Sequence, residues 1–358
     1  MKGDIFFVVD AKFFPLAAIQ AVRAVAMSDR EIGVHVFVDG PSSGEARFDS
    51  RVETEAAGRL HLHCGELARL TPAALPTPKV WPREIYGRLF APQVLEADRL
   101  LYLDVDIVID GPLDELISLD MRGAAVAATY DVSIEESLDR NSQQISARNR
   151  PAGARYFNSG MLLIDRKRWL ERDVAGQTLA FIPPRHGRGY VDQDFLNFVF
   201  ADWLPLSPRW NCMISFLEAG LQEAIRPHVV HVTGFVKPWH REFADQYPLY
   251  AEKFAAMTAA AHVDLRRLPR RNRTPGFKRM KRWRIALHLQ VYRLGIVTRR
   301  TRAYLAAWRA RRARFIEFLS ASAKQGLFAD AFSFAPPPAP DPPDFDGRTF
   351  RARQKASA

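Results

Sequence analysis

Cysteine is almost missing from this sequence: Cys64 and Cys212 are the only two among 358 residues. Two widely separated thiols give neither a disulfide framework nor zinc-ligand spacing, which favours a reducing, cytoplasmic setting. No apolar run reaches the roughly 18 residues that a membrane-spanning helix needs. The first apolar run, Ile5–Val9, is too short for the core of a secretory signal and is bracketed by Asp4 and Asp10, so it reads as a buried first strand. Acidic residues are absent from one long segment: Arg266–Arg314 holds 18 Lys or Arg and no Asp or Glu. The other 33 of the 51 basic residues face 40 acidic ones, so the net charge of +11 resides in that segment alone. A mildly acidic body with a basic extension implies a separate partner for each.

What is present is an alternation of apolar runs. Asp4–Val9, Gly33–Val38, Leu60–Cys64, Arg99–Leu103, Ala124–Thr129 and Met161–Asp165 read as strands. Leu16–Met27 and Glu84–Leu95 read as helices, the second despite Pro92. Strands alternating with helices predict an α/β sheet with crossover connections, whose ligands gather beyond the C-terminal strand ends. Asp10, Asp39, Asp104, Asp131 and Asp165 all follow apolar runs, although Asp39 and Asp165 serve equally well as strand ends or helix caps.

The expected division is a body over 1–258, a basic linker over 259–275, a basic amphipathic helical extension over 276–325, and a proline-rich disordered tail over 326–358. In Phe277–Leu294, Met280, Trp283, Leu287, Val291 and Leu294 share one helical face, and Ile296–Leu319 is a second amphipathic stretch. Apolar stripes beside this much positive charge predict an anionic membrane surface as partner, with Trp283, Leu287, Tyr304, Trp308 and Phe315 inserted. Nucleic acid is the lesser reading, and a solvated helix the bland one.

The densest chemistry lies in Leu100–Ile109, where Asp104 and Asp106 interrupt an otherwise apolar run. Read as one strand, the run puts both carboxylates on one face. Burying two adjacent anions costs several kcal/mol unless a cation compensates, and a hard divalent cation is the economical one. Four other segments stand out. At the first strand end, Asp10 and Phe13 offer an acceptor and a ring suited to a base, though core packing explains Phe13 equally. Asn158 precedes a buried run and can address hydroxyl groups or satisfy a turn. Asp192 begins a helix, as cap or ligand, and Gln193 suits sugar hydroxyls or a cationic transition state. His231 ends the run His228–Val232 and can complete the coordination of a metal such as Mn²⁺; Gly234 and Lys237 follow at positions suited to phosphate.

The motifs YGRL at Tyr86–Leu89, YLDVDIVI at Tyr102–Ile109, YFNSGMLLID at Tyr156–Asp165, VDQDFLN at Val191–Asn197 and HVTGFVKPW at His231–Trp239 resemble, in order and spacing, glycosyltransferase family 8. The resemblance is strongest to bacterial galactosyl- and glucosyltransferases that build lipopolysaccharide cores. It implies a GT-A fold, a Rossmann-like mixed sheet flanked by helices, a UDP-sugar donor, a glycan or glycolipid acceptor, retention of anomeric configuration, and Mn²⁺ with Mg²⁺ as the other candidate. It also implies a peripheral enzyme on the cytoplasmic face of the inner membrane. By match, Asp104, Asp106 and His231 bind the metal. Asp10 contacts uracil, Phe13 holds the stacking position, and Val105 lies against the ribose. Gly234 and Lys237 hold the diphosphate, and Arg88, Asn158, Asp192 and Gln193 surround the donor sugar. Lys12 departs from the family, whose members often carry an uncharged polar residue there. A sugar-nucleotide-binding scaffold without turnover is the alternative of another class, and a nucleotidyltransferase releasing pyrophosphate is a further one.

Overall fold

The computed structural model describes residues 2–40, 42–77, 83–132, 155–185, 191–234, 236–265 and 299–338. Its strands are β1 Gly3–Asp10, β2 Gly33–Asp39, β3 Leu60–Cys64, β4 Arg99–Leu103, β5 Ile107–Ile109, β6 Val126–Tyr130, β7 Phe157–Asp165, β8 Leu204–Leu206, β9 Cys212–Met213 and β10 Val229–His231. A seven-stranded sheet runs β3-β2-β1-β4-β7-β6-β8, and a three-stranded sheet runs β5-β10-β9. In the large sheet only β7 opposes its neighbours, lying antiparallel to β4 and β6. The central strands are buried on both faces, which is why they read as continuous apolar runs. Phe6, Leu100 and Tyr102 enter one core, while Ile5, Phe7, Leu101 and Leu103 enter the other, as alternation along a strand requires. Register sets Asp10 beside Asp39 at the C-terminal ends of β1 and β2, while β4 pairs with β1 only as far as Tyr102 opposite Phe6.

Four expectations change. The run Leu100–Ile109 is two strands in two different sheets, and Asp104-Val105-Asp106 is the non-strand crossing between them. The two carboxylates therefore converge because the chain turns there, and pleat alternation is not the cause. Second, β7 begins at Phe157, so Asn158, Ser159 and Gly160 lie within the strand. Third, the helix expected over Glu84–Leu95 is a 3₁₀ turn, Arg83–Tyr86, followed by a helix, Gly87–Val94. At Gly87 the chain passes so close to β1 that a Cβ would lie 2.6 Å from Val8 Cγ1.

The fourth concerns the tail. The helix Arg299–Lys324 buries Leu305, Trp308, Phe315 and Leu319. Trp308 Nε1 donates to Glu218 O at 2.9 Å, Phe315 meets Phe216, and Phe318 meets Tyr130 edge-on. Beyond it, Ala329 N donates to Pro205 O at 2.8 Å beside β8, and Phe328 and Asp330 are buried. Residues 299–338 thus pack as part of the body, and neither Trp308 nor Phe315 is free to enter lipid. The apolar stripe is real; it faces protein. Phe277–Leu294, with Trp283 and Leu287, lies outside the described residues, as do most of the expected linker and the side chain of Tyr304. Among the described residues no helix is long and apolar enough to cross a membrane.

If the C-terminal helix belongs to the core, Phe315→Ala or Leu319→Ala should lower unfolding free energy by about 2–5 kcal/mol in urea titrations. A loss under about 0.5 kcal/mol would mean a detached helix.

Candidate active site

The site forms where β4 hands the chain to β5. Backbone bonds pin the crossing from both sides: Asp104 N donates to Gly160 O at 2.8 Å, and Val232 N donates to Asp106 O at 3.0 Å. From the helix Phe14–Ala26, the wholly buried Gln20 donates through Nε2 to Val105 O at 3.2 Å and Ile107 O at 2.8 Å. Val105 lies in the crossing and Ile107 begins β5, an edge strand of the small sheet, so these carbonyls need a donor from outside the ladder. The sequence carried no signal for Gln20, a polar residue in an apolar helix whose partners lie 85 and 87 positions away.

His231 Nε2 stands 3.3 Å from Asp106 Oδ1 and 3.8 Å from Asp104 Oδ2. One ligand atom from each of the three residues falls within 4.8 Å of the others. A sequence of hydrogen bonds fixes which face of the imidazole they meet. Asp131 Oδ2 only accepts, so Asn158 presents Nδ2 to it at 3.1 Å. Asn158 Oδ1 then accepts from Asn211 Nδ2 at 3.0 Å, and Asn211 Oδ1 is left to accept from His231 Nδ1 at 3.0 Å. The proton accordingly sits on Nδ1, and the Nε2 lone pair points at the acid pair. A metal-binding histidine needs that tautomer and a partner on its other nitrogen. Two carboxylates and a neutral imidazole fit a divalent cation such as Mn²⁺.

The carboxylates are further held by cations. Lys237 Nζ bonds Asp106 Oδ2 and, at 3.1 Å, Val232 O. Burial pushes the Asp106 carboxyl up, but the Lys237 ammonium beside it outweighs that and holds the group below the usual range. Arg88 Nη1 lies 3.3 Å from Asp104 Oδ1 and donates to Ser159 O, with its guanidinium over the Tyr102 ring at 4.5 Å. Tyr102 OH donates to Asp104 Oδ1 at 2.5 Å. Arg88 Nε is 3.3 Å from Asp192 Oδ2, yet it donates to Ile85 O. Burial first, then Asp104, pushes the Asp192 carboxyl up to about 6 despite Arg88. Three carboxylates around two full positive charges leave negative charge for a further cation.

Gln193 and Asn158 join the same network. Gln193 Nε2 donates to Asp131 Oδ2 at 3.1 Å, and its Oε1 accepts from Ser159 N at 2.9 Å. All seven residues matched to metal and sugar therefore converge: Arg88, Asp104, Asp106, Asn158, Asp192, Gln193 and His231. Val105 lies half-buried between Asp104 and Asp106. Asp10 Oδ1 accepts from Phe13 N at 2.9 Å at the start of the helix Phe14–Ala26, and Phe13 packs half-buried against both cores. Gly234 is exposed with φ +93°, and an added Cβ would meet no heavy atom, so its glycine serves backbone conformation. Gly160 is the opposite case: a Cβ there would lie 2.2 Å from His231 Cε1 and 2.8 Å from Asp104 Oδ2. Besides Gln20, sequence reasoning missed Asn211, and it noted Asp131 only as the end of an apolar run.

Residues 4–242 match the profile of Glycosyl transferase family 8. The chain belongs to that family. It is 26% identical over 248 residues to a lipopolysaccharide 1,2-glucosyltransferase of Escherichia coli K12, covering 65% of this chain and 71% of the relative. A lipopolysaccharide 1,3-galactosyltransferase of Salmonella typhimurium is 26% identical over 253 residues, covering 67% and 73%. The crystal structure of the galactosyltransferase LgtC with donor and acceptor sugar analogues superposes with a TM-score of 0.56 at 24% identity, over 72% of this chain and 96% of LgtC. The fold of this glycosyltransferase is of the GT-A type.

Two substitutions test the geometry. Gly160→Ala should weaken divalent-cation binding at least tenfold by calorimetry, about the scale of losing a supporting contact to a metal ligand; wild-type affinity would contradict the close packing. Asp192→Asn should stabilise the fold by about 2–3 kcal/mol at pH 8, since a carboxyl raised from 3.8 to about 6 opposes folding once ionised. The gain should fade as pH falls from 6 through 3.8; a gain independent of pH would contradict the assignment.

Proposed function

We propose that this glycosyltransferase moves galactose or glucose from a UDP-sugar to a lipopolysaccharide- or lipooligosaccharide-type acceptor, with retention, using a divalent cation, Mn²⁺ ahead of Mg²⁺. The convergence of Asp104, Asp106 and the lone-pair face of His231 carries this reading. The relatives named for lipopolysaccharide glucosyl and galactosyl transfer support the acceptor class.

Asp104, Asp106 and His231 would hold the cation, which supplies positive charge to the departing diphosphate. Lys237 sits at the same edge, and on binding exchanges Asp106 for a phosphate oxygen. Gly234 brings backbone close to that diphosphate, while Asp10, Phe13 and Val105 seat the uridine. Asp192, Gln193, Asn158 and Arg88 enclose the sugar. As the C1–O bond to UDP breaks, the ring becomes cationic, and Gln193 Oε1 and the Asp192 carboxylate lie on hand to steady it. The acceptor hydroxyl bonds to C1 from the same face, and its proton passes to a phosphate oxygen of UDP. Gln193 is a neutral amide and a poor nucleophile, which favours this front-face route over a covalent adduct.

The enzyme works at the cytoplasmic face of the inner membrane, drawn there by the basic charge of Arg266–Arg314. Trp308 and Phe315 are engaged by the body, so charge supplies the attraction, at about 1 kcal/mol for each residue close to an anionic surface. Arg302 and Arg309 are exposed on the C-terminal helix.

The test is a panel of UDP-sugars with Mn²⁺, read as UDP release with and without lipooligosaccharide. UDP-galactose or UDP-glucose should be consumed, faster with acceptor, and EDTA, Asp104→Ala or Asp106→Ala should reduce release to background. Near-normal turnover in EDTA or in either variant would overturn the metal assignment. UDP bound tightly without turnover would mark a scaffold, and pyrophosphate release a nucleotidyltransferase.

A further inference from the structure

Asp330 lies far outside the family match, on the segment that follows the C-terminal helix. It is 5% exposed, and its carboxylate takes three donors from a single turn: Ser207 N at 2.8 Å on Oδ1, and Ser207 Oγ at 2.5 Å with Trp210 Nε1 at 3.1 Å on Oδ2. The neighbouring Ala329 is tied down on both sides, its N donating to Pro205 O and its O accepting from Arg122. The turn is closed by Trp210 N donating to Ser207 O at 3.3 Å. Trp210 is wholly buried and meets the His228 ring edge-on at 4.8 Å. The next residue is Asn211, whose amide holds His231 Nδ1 on one side and Asn158 Oδ1 on the other.

We infer that Asp330 is a positioning residue for the metal-binding histidine: through Ser207 and Trp210 it sets the turn that aims Asn211 at His231. The inference rests on the reading of Asp104, Asp106 and His231 as a cation site. A carboxylate accepting three N–H and O–H bonds makes a stiff anchor, because ionised acceptors form the stronger hydrogen bonds. A carboxamide cannot replace it: whichever way it is turned, its NH₂ confronts a donor, Ser207 N–H or Trp210 Nε1–H. The C-terminal segment thereby becomes part of the glycosyltransferase site although it matches no part of the family profile.

The experiment uses the full chain and three variants: Asp330→Asn, Trp210→Phe, which removes the indole N–H along with part of the ring, and Phe318→Ala, which weakens the same C-terminal packing away from the turn. Mn²⁺ affinity is read from the free-Mn²⁺ EPR signal without donor. The His231 tautomer is read from imidazole ¹⁵N shifts in metal-free protein at one pH. Asp330→Asn and Trp210→Phe should each weaken Mn²⁺ binding by about threefold to tenfold, below the span for direct partners of metal ligands, and should mix the His231 tautomers. Phe318→Ala should lower Tm and leave both readouts unchanged. Combined, Asp330→Asn and Trp210→Phe should cost less than the product of their separate effects. Should Asp330→Asn fail to fold, Trp210→Phe decides alone. Wild-type affinity and tautomer in either folded turn variant, or a loss in Phe318→Ala as large as theirs, would overturn the inference. A wild-type chain that binds no Mn²⁺ would overturn the cation reading instead, and the ¹⁵N shifts would still decide whether Asp330 positions His231.

Discussion

At the point where the chain leaves the large sheet for the small one, two carboxylates separated by one residue face the same imidazole nitrogen. Like charges this close repel, and partial burial adds to the cost. The surrounding structure offsets that cost from several directions. Lys237 neutralises Asp106 from the far end of the family match, Arg88 approaches Asp104 from the helix Gly87–Val94, and Tyr102 donates to Asp104 from β4. The charges on hand still fall short once Asp192 is included, and the deficit is what a divalent cation would fill. A site short of positive charge attracts the ion and retains it only where the ligand geometry is already fixed. That geometry comes from Gln20 beneath the crossing and from Gly160, whose missing side chain leaves room for His231.

Polarity is transmitted as well as charge. Asp131 can only accept, and this single fact orients Asn158, then Asn211, then the imidazole of His231. The same carboxylate accepts from Gln193 and so turns Gln193 Oε1 toward Ser159. The residues proposed to hold the metal and the sugar are thus set by one hydrogen-bond network, in which reversing any amide would leave two donors or two acceptors opposed. Such networks are costly when half-satisfied, which gives this one its rigidity. The contact of Asp330 with the turn before Asn211 extends that rigidity to the C-terminal segment.

Much of this was legible in the sequence where a local signal existed. The strands at Leu60–Cys64 and Arg99–Leu103 stand where their apolar runs put them, and the acid pair announced itself by its setting. Pleat alternation does not explain the pair's convergence, because a turn flanked by apolar residues on both sides reads in sequence like one uninterrupted buried strand. Gln20, Asn211 and Asp330 were invisible because each is a single polar residue whose partners are distant in sequence, from 20 positions for Asn211 to 123 for Asp330. The C-terminal helix was misplaced for a different reason. An apolar stripe with arginines around it is the same sequence whether the stripe meets lipid or protein, and only the tertiary structure shows Trp308 and Phe315 against the body.

The central claim is that Asp104, Asp106 and the Nε2 of His231 together hold one divalent cation. It is tested most directly by electron–nuclear double resonance on Mn²⁺ bound to protein labelled with ¹⁵N at histidine. The account predicts one Mn²⁺ per chain with a single ¹⁵N coupling that disappears in His231→Ala. Tightly bound Mn²⁺ with no histidine nitrogen coupling, or a coupling that survives His231→Ala, would contradict it.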